Sequence, residues 1–572
     1  MSIKIGNLRL GINRRGLIFE WLNTRLLSED QDFIVPSDAP NGEYVGIIKA
    51  YPEFEEIGDA PVFTLVTNVD NIYSVSATGL ISIADNTFLA VAVDVITVTI
   101  TKTGFVDQTI NVTITVLNTA NCTYLDPGFW HNGVGTRIDP KNAIPAITDN
   151  MILLFKRGTQ TVRVGMLYID NKDAWIIGSY GTGALPIISG NNHYIFRVYS
   201  THATEGCTNA VVRDLSFTSN AALTPDPDYA NWSTGAVYGS STKVNFWFIH
   251  NECSFLINGL TFNSNGQPSN DYDLTLKWNY VHDTSLEGLY LQKTDNLGEA
   301  SCNKITRVNL KWFFNEAEAT SSGDGIQTFD VHLVNMKHNY VDHSFTGNKF
   351  CLIPQYNHAG VDGTEWVEVS DNYLISNLGG TAGALSGAII YADFNRGVIT
   401  RNYFKAINGA RGIALPWGSV DIEVSYNIFD KCNRDYAVSG LAINTYNNVF
   451  YDFLYCVLLA PTAMKNNIFY FVGNAGEYAY NGAGAAGIDY NLFNQEQANM
   501  FGVGRNNIAG QTGEDHSVVG DPQFVDLANR DFRIKASSPG IGIGAFLGIV
   551  YDYYYRHVGA TPDIGVNQRN GV

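Results

Sequence analysis

Six segments of this chain place a charged or small polar residue immediately before a run of strand-forming residues. They are Glu287-Gly-Leu-Tyr-Leu, Asp324-Gly-Ile-Gln-Thr, Lys349-Phe-Cys-Leu-Ile, Ser386-Gly-Ala-Ile-Ile, Arg411-Gly-Ile-Ala-Leu and Asp435-Tyr-Ala-Val-Ser. The residues two further on stay apolar or small (Leu289, Ile326, Cys351, Ala388, Ile413, Ala437) and are expected to point inward. The leading residues should then stack in one column, about 4.8 Å apart where the segments are adjacent strands. Two reactions suit such a column. Glycoside hydrolysis needs a protonated acid and a second carboxylate, and Glu287 with Asp324 meets that need. Two close carboxylates also raise one pKa, as a general acid requires. Elimination from a uronate needs a base and a cation that neutralises the sugar carboxylate; Lys349 and Arg411 supply these. Tyr290, Gln327, Asp393 and Trp417 are the expected substrate-binding neighbours, Trp417 by stacking on a sugar ring. Asp330, Asp362 and Glu365 are reserve carboxylates, and His282, His343 and His358 lie near the same turns. A column of acid, acid, base, neutral, base and acid could also simply neutralise itself on the surface. Calcium held by Glu287 and Asp324 is the one cofactor reading, and it lacks further evident ligands. No other cofactor or metal is expected.

The elements that position this column are written in a second repeat. It reads Leu274-x-Leu276-x-x-Asn279, Val334-x-Met336-x-x-Asn339, Val367-x-Val369-x-x-Asn372 and Ile422-x-Val424-x-x-Asn427, with further copies ending at Asn402, Asn448, Asn467 and Asn491. An aromatic usually follows, as in Tyr280, Tyr340, Tyr373, Tyr403, Phe429, Phe450, Phe469 and Phe493. One copy, Val308-Asn-Leu310-Lys-Trp312, has Phe313 where the Asn should stand. Apolar residues two apart share one face of a strand. Asn at the strand end tolerates left-handed backbone angles and can bond a turn or its counterpart on the next coil. No coil buries its own apolar face, so the coils must stack.

These segments resemble the right-handed parallel β-helices of polysaccharide lyases, glycoside hydrolases and phage tailspikes. Trp175-Ile-Ile-Gly-Ser-Tyr-Gly-Thr-Gly is similar to an early coil of such proteins. Asp521-Pro-Gln-Phe-Val, Asp531-Phe-Arg-Ile, Ser538-Pro-Gly and Asp563-Ile-Gly resemble their closing segment. Gly323-Asp-Gly-Ile-Gln327 and Gly347-Asn-Lys349 look like lyase segments, which favours elimination slightly over hydrolysis. The resemblance implies an all-β chain, a right-handed parallel β-helix (solenoid) preceded by a small β-sandwich. It implies a bacterial surface polysaccharide as partner, with a fold that hosts many reactions.

Residues 33–118 alternate as in Val93-x-Val95-x-Thr97-x-Thr99 and Ile110-x-Val112-x-Ile114-x-Val116, and look like a cadherin-type or immunoglobulin-like sandwich. Acidic calcium motifs at the exit Val116-Leu-Asn-Thr-Ala-Asn121 are missing, so a calcium-free spacer is expected. The remaining expected divisions are a docking segment at 1–32, a linker and cap at 119–150, the β-helix at 151–540 with roughly 12–15 coils, and a closing segment at 541–572. Tyr551-Asp-Tyr-Tyr-Tyr555 is expected to cover the last coil or a subunit contact.

The 572-residue chain carries a formal net charge of −19, which argues against a nucleic-acid partner. No stretch approaches a membrane span. Seven cysteines are scattered without a CxxC pair, so they are expected as small core residues rather than a zinc or disulfide framework. The opening Met1-Ser-Ile-Lys-Ile-Gly has no apolar run of signal-peptide length. The expectation is a tailspike-like, homotrimeric receptor-binding protein of a phage virion, assembled in the host cytoplasm. It docks to tail or baseplate proteins through its N-terminus and depolymerises a surface glycan. The alternatives are a secreted bacterial polysaccharide lyase and a non-catalytic fibre or adhesin.

Overall fold

The computed structural model describes the chain except residues 1, 6–7, 14–15, 22–25, 53–59, 103–106, 129–131, 159–161, 164–165, 191–192, 200–206, 220–232, 241–242, 264–270, 293–295, 309, 311–322, 345–349, 356–364, 378–387, 408, 416–420, 433–435, 441–442, 459–461, 474–476, 481–486, 497–513 and 569–572. Three long sheets run through its larger part. Among the described residues the first and second hold 14 strands each and the third holds 12. Neighbours in each sheet are parallel and belong to successive coils, for example Trp366–Ser370 beside Gly397–Thr400 in the first sheet, Tyr373–Ser376 beside Tyr403–Ala406 in the second, and Leu289–Gln292 beside Ile326–Phe329 in the third. This is a parallel β-helix. One continuous apolar core fills its centre, from Leu125 and Leu153 to Ile488 and Phe493. Stacks of like side chains run along it, including Phe404, Phe429, Phe450, Phe469 and Phe493, with successive centroids 4.6–5.2 Å apart.

The corner between the first and second sheets is an asparagine ladder. Asn251, Asn279, Asn303, Asn339, Asn372, Asn402, Asn427, Asn448, Asn467 and Asn491 are buried and bonded in succession. The Oδ1 of each later Asn accepts from the backbone N–H of the one before, at 2.8–3.1 Å. The ladder ends on Ser517, whose hydroxyl accepts from the N–H of Asn491. Two details differ from the sequence expectation. The left-handed angle falls on the residue before each Asn (Trp278, Cys302, His338, Asp371, Arg401, Tyr426), not on the Asn. The end of the copy at Phe313 lies outside the described residues, and the ladder passes from Asn303 directly to Asn339. The rung after Asn279 ends at Asn303, two residues past the strand Asn296–Ser301, where Gly298 and Ala300 replace the large apolar pair and hide the repeat. Residues 311–322 lie outside the described residues.

Residues 31–117 form two packed sheets around their own core of Phe33, Val35, Ile81, Ile96, Val98, Val112 and Ile114. They pack against the first coils. Phe33 stacks on His250 at 4.7 Å, Arg213 donates to the Asp32 carbonyl at 2.7 Å, and Lys49 Nζ donates to the Trp278 carbonyl at 2.6 Å. The first rung starts at Cys122–Leu125, which pairs in parallel with Ile152–Lys156. The C-terminal stretch runs back along the flank of the solenoid. Phe524, Phe532, Ile534, Tyr553, Ile564 and Val566 pack on Tyr340, Tyr373, Tyr403 and Val449. Tyr555 lies beside His338 and under Arg401, in the middle coils rather than over the last one.

Candidate active face on the third sheet

The third sheet positions the residues singled out above. Leu289 is the register partner of Ile326, so Glu287 and Asp324 stand at equivalent places on adjacent rungs, two residues upstream. The backbone confirms it: Gly288 N–H donates to the Asp324 carbonyl at 2.9 Å. On the next rung Ile326 pairs with Leu352, so the same place is held by Phe350. Lys349 is one residue out of step with the column and lies outside the described residues. Ala388 follows and pairs with Arg411, while Ser386, two residues earlier, also lies outside the described residues. The slips arise because the connections into the third sheet vary in length, from Thr306 to Ile326 in one coil and from Ala406 to Arg411 in another. Arg411 thus sits three rungs beyond Asp324, roughly 14 Å by strand spacing. Its guanidinium lies 5.2 Å from the centroid of the Tyr436 ring. The column expected to be all polar is Glu287, Asp324, Phe350, Ala388, Arg411 and Tyr436, with Asp435 and Trp417 outside the described residues.

Glu287, Asp324 and Arg411 are buried rather than open to solvent. The Asn258 Oδ1 accepts from the Glu287 N–H at 3.3 Å, and Asp324 Oδ1 accepts from the Phe350 N–H at 3.1 Å. Tyr290 and Gln327, three residues further on each rung, are register partners and half-buried. The Tyr290 hydroxyl donates to Gln292 Oε1 at 3.2 Å. Gln327 Oε1 is enclosed without a hydrogen-bond partner among the described residues.

Sequence reasoning named Tyr290 but missed two further aromatics of this face, Tyr194 and Tyr238. Tyr194 and Tyr238 pack with ring centroids 4.7 Å apart. Tyr238, Thr261, Tyr290 and Gln327 form one outward row by register. Gly235 leaves room for the Tyr194 ring; a Cβ there would stand 3.0 Å from both that ring and the Asn258 carbonyl. Burial, first, raises the Tyr290 phenol, and the Glu287 charge adds to it. The Tyr194 phenol is also raised by burial, with Glu287 among the lesser contributors. The face therefore brings the Tyr194 and Tyr290 phenols near one carboxylate, with Tyr238 packed on Tyr194. The row is invisible in the sequence, because Tyr238, Thr261, Tyr290 and Gln327 recur at uneven intervals and only the strand partners align them.

Asp393 belongs to another part of the same sheet. It bridges Gln355, and burial raises its carboxyl above the ordinary range. It stands two rungs and five residues from Asp324, roughly 19 Å away by strand geometry. Of the reserve carboxylates, Glu365 is buried and accepts from Asn395 at 2.7 Å, Asp330 turns the chain with φ 56°, and Asp362 lies outside the described residues. His282 lies in the second sheet between Asp283 (2.8 Å) and Glu252 (3.1 Å). Burial opposes protonation there, yet those two carboxylates raise its pKa. His343 is buried, and His358 is outside the described residues. No helix among the described residues is long and apolar enough to cross a membrane.

No protein-family model matches the chain, and no curated protein matches it. Among solved structures the chain is similar to the A-module of the Azotobacter vinelandii mannuronan C-5 epimerase AlgE6, with 12% identity and a TM-score of 0.37 over 65% of this chain and 91% of that one. It is also similar to an alginate lyase from Paenibacillus sp., with 13% identity and a TM-score of 0.23 over 62% of this chain and 88% of that one. The parallel β-helix rests on the chain's own strand register.

Proposed function

We propose that this protein binds a bacterial surface polysaccharide along the outer face of the third sheet and depolymerises it, as a tailspike-like receptor-binding protein. The observation that carries the reading is the pairing of Glu287 with Asp324 on adjacent rungs, beside Tyr290, Gln327, Tyr194 and Tyr238. Phenol rings supply the apolar faces on which sugar rings stack, and amide and hydroxyl groups fix their orientation. Adjacent rungs set the Glu287 and Asp324 backbones about 4.8 Å apart, and carboxyls at a like separation suit a retaining hydrolase. Hydrolysis is the reading this spacing suits. Elimination, the reading suggested by the Lys349 segment, keeps Lys349 and Arg411 as its cations. Docking through residues 1–32, a homotrimeric assembly and a place in a virion complete the proposal, with light scattering as the check on the trimer.

The test uses capsule or exopolysaccharide from candidate hosts. New reducing ends without the ultraviolet absorbance of an unsaturated uronate mean hydrolysis, and both signals together mean elimination. Glu287→Gln and Asp324→Asn keep shape and hydrogen-bonding capacity and are expected to abolish either signal. If both variants cleave at the wild-type rate, the carboxylate pair is only a structural ladder.

A further inference from the structure

We infer that Glu29, Cys302 and His338 form a binding site for a divalent transition ion of the zinc type. One carboxylate oxygen, the thiol sulfur and one ring nitrogen all lie within 4.8 Å of one another. Cys302 Sγ and His338 Nδ1 each stand 3.1 Å from the same oxygen, Glu29 Oε1. Thiolate, imidazole and carboxylate together are a donor set for zinc or a neighbouring first-row ion, whereas calcium and magnesium take oxygen only.

The solenoid explains how the ligands meet. Cys302 and His338 occupy the same place on successive coils, just before Asn303 and Asn339, and the Cys302 N–H donates to the carbonyl of Lys337. Both have φ 53°, in the left-handed region. The same place carries Trp278, Arg401 and Tyr426 on other rungs, so the backbone there admits many side chains, and it is the meeting of three ligand types that marks this rung. Glu29 then comes from outside the solenoid, just ahead of the strand Gln31–Pro36.

The surroundings match those of a ligating histidine. His338 Nε2 faces the Tyr555 hydroxyl at 3.4 Å and Asp371 at 3.9 Å, and Asp371 is fixed by two bonds from Arg401 at 2.9 and 3.0 Å. A partner on the far nitrogen sets the tautomer and leaves Nδ1 to the metal. Lys277 lies 3.5 Å from the other Glu29 oxygen and also pairs with Glu299, so Oε1 stays on the ligand side. Glu29 and His338 keep side-chain exposures of 18% and 17%, which gives an ion a way in. Three protein ligands leave one coordination position for solvent. The bound ion would pin the N-terminal sandwich to the coils, beside the returning C-terminal segment.

The experiment takes the full chain, stripped with a chelator under reducing conditions, and titrates zinc against a chromophoric chelator. One equivalent per chain is expected, with binding at least tenfold weaker in both Cys302→Ser and His338→Gln. With cobalt in place of zinc, the thiolate charge-transfer absorption should appear in the wild-type chain and be missing from Cys302→Ser. The serine keeps a donor to Glu29, so the stripped wild-type and Cys302→Ser proteins should melt alike. If Cys302→Ser fails to fold, the cobalt spectrum of the wild-type chain decides. The inference is overturned if the stripped chain takes up no zinc, if cobalt shows no thiolate band, or if Cys302→Ser binds zinc as tightly as the wild type. Cleavage activity is not the readout, so failure here leaves the glycan reading untouched.

Discussion

Replacing Asn402 by alanine tests the ladder that holds the solenoid in register. Its side-chain amide donates to Val369 O at 2.8 Å, Thr400 O at 3.0 Å and Asn427 Oδ1 at 3.0 Å. Its Oδ1 accepts from the Asn372 N–H at 3.0 Å and the Asn372 amide at 2.8 Å. Some partners are covered after truncation. Asn427 Oδ1 still accepts from the Asn402 N–H, and the Asn372 amide still reaches Met336 O and Ser370 O. The Asn372 N–H loses its ladder acceptor in a buried corner, and the Val369 carbonyl loses its side-chain donor. One or two orphaned groups at about 1–3 kcal/mol each, plus a small void, give a destabilisation of about 3–5 kcal/mol. A 572-residue solenoid is not expected to unfold in two states, so the unfolding rate in denaturant is the better measure. Where the interaction is lost in the transition state, that energy corresponds to a rate increase of about two to nearly four decades. Hydrogen exchange at the Asn372 amide should accelerate with it. Unfolding within threefold of wild type, with that amide still protected, would refute the ladder as a source of stability.

Three further outcomes follow from the same structure. Glu287→Gln and Asp324→Asn should abolish glycan cleavage yet leave glycan binding within about tenfold, measured by reducing ends and by calorimetry. Gly235→Ala should weaken glycan binding and cost about 1–3 kcal/mol, because its Cβ would crowd the Tyr194 ring and the Asn258 carbonyl; unchanged affinity would show that Tyr194 does not touch the sugar. The junction of sandwich and solenoid should loosen in acid. Burial first, then the charges of Lys49, Arg213 and Arg157, hold the His250 pKa well below 6.5. The unfolded chain therefore binds a proton that the folded chain refuses, and stability is lost as pH falls below about 6.5. Lys49 is likewise lowered by burial from 10.5 to about 8, so its unfavourable contribution is complete below pH 8 and relieved as pH rises towards 10.5. Limited proteolysis of the junction should accelerate from about pH 7 to about pH 5 in the wild type but less in His250→Phe; equal acceleration in both would remove His250 from the account.

The fold was legible in the sequence because its physics is local and repeated. Pairs such as Val367 and Val369 share one face on a strand, and an Asn buried at the end of each strand is satisfied by the Asn one rung away together with backbone carbonyls. That logic failed where a rung used small residues, as at Gly298 and Ala300 before Asn303. The candidate face was legible in part. Glu287 and Asp324 were found because both lie a fixed two residues before an inward leucine or isoleucine. Lys349 and Ser386 were assigned to the column on a count that slipped, since variable connections carry no periodicity from which register can be read. Tyr194 and Tyr238 needed the strand partners themselves. What the tertiary structure alone decided is everything that joins distant parts of the chain: the sandwich seated on His250 and Trp278, the C-terminal segment lying back along Tyr340 and Tyr373, and Glu29 brought to Cys302 and His338 across 273 and 309 residues. Those contacts depend on which coils face which segment, a property of how many rungs are stacked and how long each loop is, and no residue pattern within a single coil encodes it.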